Sequence, residues 1–197
     1  MGRPAKPPSD LPVKTFKTQA EFRDWLARHH EQPKGIWLRF FKKASGVQTV
    51  TYAEALDQAL CHGWIDGQVY PCDAQSWLQK FTPRRPKSGW SKRNTEHAER
   101  LIKSGHMTAA GLKVIEAAKA DGRWAAAYDS PSKAAAPPDL LQELEKHKKA
   151  KAFFATLNRV NIYAIFYRLQ TAKKPETRAR RMAAILAMLR KGEKLHH

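Results

Sequence analysis

Every stretch of this chain that reads as a β-strand falls between Ile36 and Phe81, and that confinement limits the possible folds more than any other feature. Ile36 to Phe41 is β-branched and aromatic. Its Ile36, Leu38 and Phe40 alternate against Trp37, Arg39 and Phe41, the period-two spacing of a strand covered on at least one face. Ile65 to Tyr70 and Gln75 to Phe81 repeat the signal around Pro71 and Asp73, predicting an antiparallel pair with the Ile36 strand as a neighbour. Helix starts bracket these segments. Thr18 with Glu21 and Thr51 with Glu54 match capping boxes, in which the Thr hydroxyl and the Glu carboxylate satisfy orphan backbone donors. The first opens a helix from Gln19 to His30 with Phe22, Trp25 and Leu26 on one stripe. The second lines up Tyr52, Leu56, Ala59 and Leu60 and stops at Gly63.

Beyond Phe81 only helical spacing remains. Proline lacks the ladder donor, so Pro83 and Pro86 make Thr82 to Gly89 a loop. Ser91 then caps a helix through Leu101 and Ile102 that Gly105 stops, and Thr108 caps another through Ala120. Asp139–Lys149, Lys151–Leu157, Asn161–Ala172 and Pro175–Leu189 carry further helices, with Pro175 suited to a first turn and Gly192 past an end. The expected class is α+β: a small antiparallel sheet flanked by helices, followed by a C-terminal helical module. The expected division is a flexible Pro-rich arm (1–12), an α+β domain (13–129), a Pro/Ala linker (130–138) and the helical module (139–197).

Between Ala59 and Asn94 the chain concentrates tryptophan, cysteine and polar residues in ALCHGWIDGQ and KFTPRRPKSGWSKRN, more polar chemistry than a packed core uses. Arg84, Arg85, Lys87 and Ser88, together with the helix start at Ser91 and Asn94, form a candidate cradle for a phosphate or carboxylate, because guanidinium forks and helix N-termini both favour oxyanions. Asp66 is expected chiefly as an ion pair fastening that arginine loop to the sheet. Trp64, Trp77 and Trp90 all have core burial as the bland alternative, with Trp64 expected inside. Trp90, between Gly89 and Ser91, is expected to be partly exposed and able to stack on a flat ligand or base. Cys61 reads as a packed thiol, and a reactive thiolate there would need Arg84 or Arg85 beside it. With Asp66 it is the only catalytic candidate, and no nucleophile, base and orienting group can be assembled from spacing. Cys61, His62, Asp66 and Cys72 match no recognised zinc spacing, and no cofactor motif is present.

Charge bounds the partners. There are 36 Lys and Arg against 18 Asp and Glu, a net +18, and the excess is concentrated from Glu145 onward. Such a field attracts polyanions, nucleic acid among them, and opposes direct capture of cationic peptides. No apolar run approaches the roughly 18 residues of a membrane span, so membrane insertion is not expected. MGRPAKPPSDLP lacks the apolar stretch of an export signal. Cys61 and Cys72 are therefore expected as reduced thiols in a cytoplasm.

GIWLRFFKK, TYAEALDQALCHGWIDGQ, FTPRRPKSGWSKRN, AAGLKVIEAAKADGRW and KKPETRARRMAAIL are similar in order and spacing to the YdeI/OmpD-associated family, the bacteriocin-protection proteins. The resemblance runs over nearly the whole chain. It implies an N-terminal part like the YjbR/CyaY α+β superfamily, a helical C-terminal module of the OmdA type, and a genetic link to bacteriocin or antimicrobial-peptide resistance without a defined reaction. Where that pattern often has an aromatic residue after the cysteine, this chain has His62, a difference that matters if the position lines a pocket. Three readings stay open: an anion-binding protein with a small phosphate- or carboxylate-bearing ligand, a nucleic-acid-binding protein using the basic C-terminal helices, and an enzyme using Asp66 or Cys61.

Overall fold

The computed structural model describes residues 9–129 and 134–196. They divide into two compact units, one of 9–89 with 94–125 and one of 90–93 with 126–129 and 134–196. Of the expected arm and linker, residues 1–8 and 130–133 lie outside the described residues. Residues 134–137 are irregular, and Pro138 already opens a helix.

The first unit is built on a four-stranded sheet of order β1-β2-β4-β3, formed by β1 (Val13–Lys14), β2 (Ile36–Phe41), β3 (Trp64–Asp73) and β4 (Ser76–Pro83). β2, β4 and β3 are antiparallel as the alternation predicts, while the two-residue β1 adds a parallel edge that the sequence pattern did not signal. β4 runs on to Pro83, opposite Trp64. The loop thus begins later than the prolines suggest, because a strand's last residue can dispense with a ladder donor.

Two helices, α1 (Gln19–His29) and α2 (Tyr52–Cys61), cover the face that carries Ile36, Leu38 and Phe40. Phe22, Trp25 and Leu26 of α1 and Ala55 and Ala59 of α2 meet that face, Trp64 and Phe81 in one core. The Thr51 box forms in full, with the Thr51 hydroxyl accepting from the Glu54 amide and the Glu54 carboxylate accepting from the Thr51 amide. At Thr18 only half of the box forms. The hydroxyl accepts from the Glu21 amide, but the Glu21 carboxylate takes the Lys17 amide at 2.7 Å.

α2 stops where Gly63 adopts a φ of 74°, a left-handed conformation that L side chains resist. Two further helices follow, α3 (Lys92–Lys103) and α4 (Ala109–Ala120), the second capped by Thr108 as expected. The N-terminus of α4 abuts the C-terminus of α2 so closely that a Cβ on Gly111 would collide with the Cys61 carbonyl oxygen.

The second unit contains α5 (Pro138–Lys146), α6 (Lys148–Phe154), α7 (Arg159–Gln170) and α8 (Pro175–Arg190) around Leu140, Leu144, Ala150, Ile165, Leu169, Ile185, Leu186 and Leu189. Arg178 and Arg181 hold the end of α7 by donating to the carbonyls of Leu169 and Arg168, the first of which also accepts from the Ala172 amide. Buried Asn161 ties down His196, donating to its carbonyl at 3.0 Å and accepting from its amide at 2.8 Å. In the same unit the segment at Trp90–Lys92 pairs with Tyr128. Among the described residues no helix is long and apolar enough to cross a membrane.

Candidate functional site

Strand parity decides where Asp66 goes. Asp66 lies opposite Phe81, on the sheet face that α1 and α2 cover, and accepts a 2.7 Å hydrogen bond from the Tyr52 hydroxyl at the start of α2. Arg84 stands an odd number of residues beyond Phe81, so the pleat directs it away from that face. Its amide continues the β3–β4 ladder to the Gly63 carbonyl. The expected ion pair between Asp66 and the arginine loop is not made, and among the described residues the carboxylate's partner is Tyr52.

The loop is instead braced from within. The Arg84 guanidinium donates to the Ser88 hydroxyl at 3.3 Å and to the Gly89 carbonyl at 3.1 Å. From the segment after α4, Arg123 donates to the Ser88 carbonyl at 2.9 Å while its Nε is held by Asp121. Arg84 and Ser88 are therefore engaged with the loop itself, whereas Arg85 and Lys87 project into solvent.

The three tryptophans of this region are packed to different degrees. Trp64 is buried, donates its indole N–H to the His30 carbonyl at 2.9 Å and meets Trp25 edge to face. Trp77 is half-buried and stacks on Phe40. Trp90 is 1% exposed, which corrects the expectation of a stacking platform: the flanking Gly89 and Ser91 say nothing of what covers the ring. Ser91 and Asn94 are half-buried. Ser91 bridges to Tyr128 in the second unit, while Asn94, in the first turn of α3, belongs to the first.

Cys61 is 1% exposed, and burial pushes its thiol up to about 11, with Asp57 adding to the rise and Arg100 opposing it. These neighbours come from an α2–α3 cluster in which Asp57 binds Arg100 at 2.6 Å and the His97 ring at 3.0 Å. A thiol so placed is a packed side chain at neutral pH. Cys72 is the other free cysteine. Among the described residues no group of three or more His, Cys, Asp or Glu converges as metal donors.

His62, the residue after Cys61, is 6% exposed. Its Nδ1 donates to the Gln58 carbonyl at 2.9 Å, and burial lowers its pKa, with the charges of His30 and Arg23 acting in the same sense. Nothing in the spacing of CHGW places this ring. Its surroundings come from α1, more than thirty residues upstream, and from His106 and Thr108, more than forty residues downstream.

Residues 14–114 match a family model described as a domain of unknown function, DUF8412, over just over half of the chain. The chain belongs to this family. Residues 133–192 match the family described as "Bacteriocin-protection, YdeI or OmpD-Associated". The resemblance to that family thus holds for the C-terminal part. Over the N-terminal part the match is to DUF8412, and the YjbR/CyaY-like assignment has no support. No curated protein and no solved structure matches the chain.

Proposed function

We propose that the protein binds an anionic polymer through the helices of its second unit. The carrying observation is a set of exposed cations there, Lys148, Lys149, Lys173, Lys174, Arg180 and Lys191, which have no counter-ion among the described residues. Among the unit's acids from Asp139 onward, Glu143 is engaged by Lys146, Glu145 by Lys151 and Asp139 by Arg178, which leaves only Glu176 and Glu193 to offset these cations. Unneutralised cations on a rigid helical scaffold suit a phosphate backbone, whose condensed counter-ions are released on contact.

Arg178 and Arg181 contribute to the field but are structural, since both fasten α7. Buried Trp90 argues against base stacking, so recognition rests on charge rather than on sequence. The family description of residues 133–192 links the reading to bacteriocin protection. A protein of net +18 repels cationic peptides, so protection on this reading is indirect.

Fluorescence anisotropy with a labelled oligonucleotide, competed by inorganic polyphosphate, tests the proposal. Saturable binding displaced by polyphosphate supports a general polyanion site. Binding that polyphosphate cannot displace narrows the partner to nucleic acid. Absence of binding to either polymer near physiological salt refutes the proposal.

A further inference from the structure

The first unit holds a polar cleft that neither the polymer reading nor either family match uses. It has a volume of about 350 Å³ and is lined by Gln19, Ala20, Arg23 and Ala27 of α1, Gln58 and His62 of α2, and His106 and Thr108 of the segment before α4. Gln58 and His62 stand one helical turn apart, so both face the groove between the two helices. Both are more than nine-tenths buried, at 7% and 6% exposure. Among the described residues the Gln58 side-chain amide and the His62 Nε2 have no hydrogen-bond partner, the His62 ring being engaged only through Nδ1. The two side chains are otherwise covered, and their unpaired polar ends open on the cleft, where both are available to whatever enters it.

The donor set says what enters. Arg23 supplies a guanidinium, occupied only by its sequence neighbour Asp24 in an exposed pair at 2.9 Å that a ligand can displace. Gln19, Gln58, His106 and Thr108 add neutral polar groups, Ala20 and Ala27 leave room, and no carboxylate lines the cleft. We propose that this cleft is a binding site for a small organic oxyanion, carboxylate or phosphate, held between Arg23 and His62 with Gln58 as a further donor.

The hydrogen bond from Nδ1 to the Gln58 carbonyl fixes the chemistry at Nε2. A neutral His62 presents a lone pair there, and only the protonated ring donates to an oxyanion. The other charged or titratable groups facing the ring are Arg23 and His30 of the α1 segment and His106 of the opposite wall. All are cationic or neutral, and Arg23, His30 and burial together disfavour the proton in the empty protein. An arriving oxyanion reverses that balance, so binding takes up a proton at His62. Affinity for a given charge state of the ligand then falls on the order of tenfold per pH unit as pH rises from the ring's free pKa to its ligand-bound pKa, and is flat outside that window.

The test uses the full chain and two probes, inorganic phosphate and succinate, titrated while the His62 imidazole resonances are followed by NMR at several pH values. The expected result is saturable movement of those resonances with at least one probe, a ligand-bound pKa above the free one, and at least a tenfold loss of affinity in Arg23→Ala, a surface change that leaves the core intact. Whichever probe binds more tightly identifies the headgroup. Arg85→Ala/Lys87→Ala, outside the cleft, leaves the titration unchanged. Unmoved His62 resonances with both probes, or Arg23→Ala binding as tightly as wild type, overturns the proposal. Loss of polymer binding by the second unit has no bearing on either outcome.

Discussion

Gly111→Ala measures how tightly the end of α2, and with it Cys61 and His62, is held. A methyl group at this helical position brings about 1 kcal/mol of helix propensity. Against that gain, the new Cβ meets the Cys61 carbonyl oxygen and the Met107 sulfur. Methionine can swing away, but the carbonyl is backbone and already accepts from the Thr108 amide and hydroxyl. Relieving the clash means prising α4 from α2, an overpacking cost of roughly 1–3 kcal/mol. It also weakens two hydrogen bonds worth about 1 kcal/mol each. The net expectation is a loss of about 2–3 kcal/mol, near 5–10 °C in Tm for a chain of this size. Thermal unfolding followed by circular dichroism reads it directly. A variant as stable as wild type, or more so, would show that propensity wins and that the α2–α4 contact is loose.

Three shorter predictions follow from the same geometry. Iodoacetamide should label native Cys61 slowly at neutral pH and at the same rate in Arg84→Ala/Arg85→Ala, while stability should decline between pH 9 and about 11 as the unfolded thiol ionises before the folded one. Rapid, arginine-dependent labelling would revive the enzyme reading. Asp139 is held below the usual carboxylate range by its hydrogen bonds from Arg178. Its share of stability, about 1 kcal/mol or less for a pair this exposed, is present above the unfolded Asp value and lost as pH falls through the depressed one. An acid titration of stability in Asp139→Asn should lack that component, and an unchanged profile would contradict it. Tyr52→Phe should cost about 1 kcal/mol, and a double-mutant cycle with Asp66→Asn should show coupling that one with Arg84→Ala lacks.

Local chemistry was legible and long-range placement was not. The caps at Thr51 and Thr108 and the stop at Gly63 depend on residues within one turn, and the structure forms them as the sequence predicts. β1 escaped because two residues, Val13 and Lys14, cannot show a period, and its pairing with Trp37 and Leu38 is parallel and remote. Asp66 was assigned to the wrong partner for a related reason. Type and proximity suggested the arginine loop, but the strand register turns the carboxylate toward Tyr52. Trp90 shows the limit of reading exposure from neighbours, since the small residues Gly89 and Ser91 beside it do not report the packing around the ring. His62 could be marked as unusual, but its cleft is made by Arg23 and Gln19 of a different helix.

The salt dependence of oligonucleotide binding tests the polymer-binding reading most directly. Wild type should lose affinity linearly in log–log form as salt rises, with a slope near −0.7 for each phosphate contact on a single strand. Reversing Lys148, Lys149, Lys173 and Lys174 to Glu, exposed positions outside the structural pairs of Arg178 and Arg181, should weaken binding and flatten that slope by several contacts' worth. A slope and affinity unchanged in this variant would contradict the assignment of the second unit as the polyanion-binding surface.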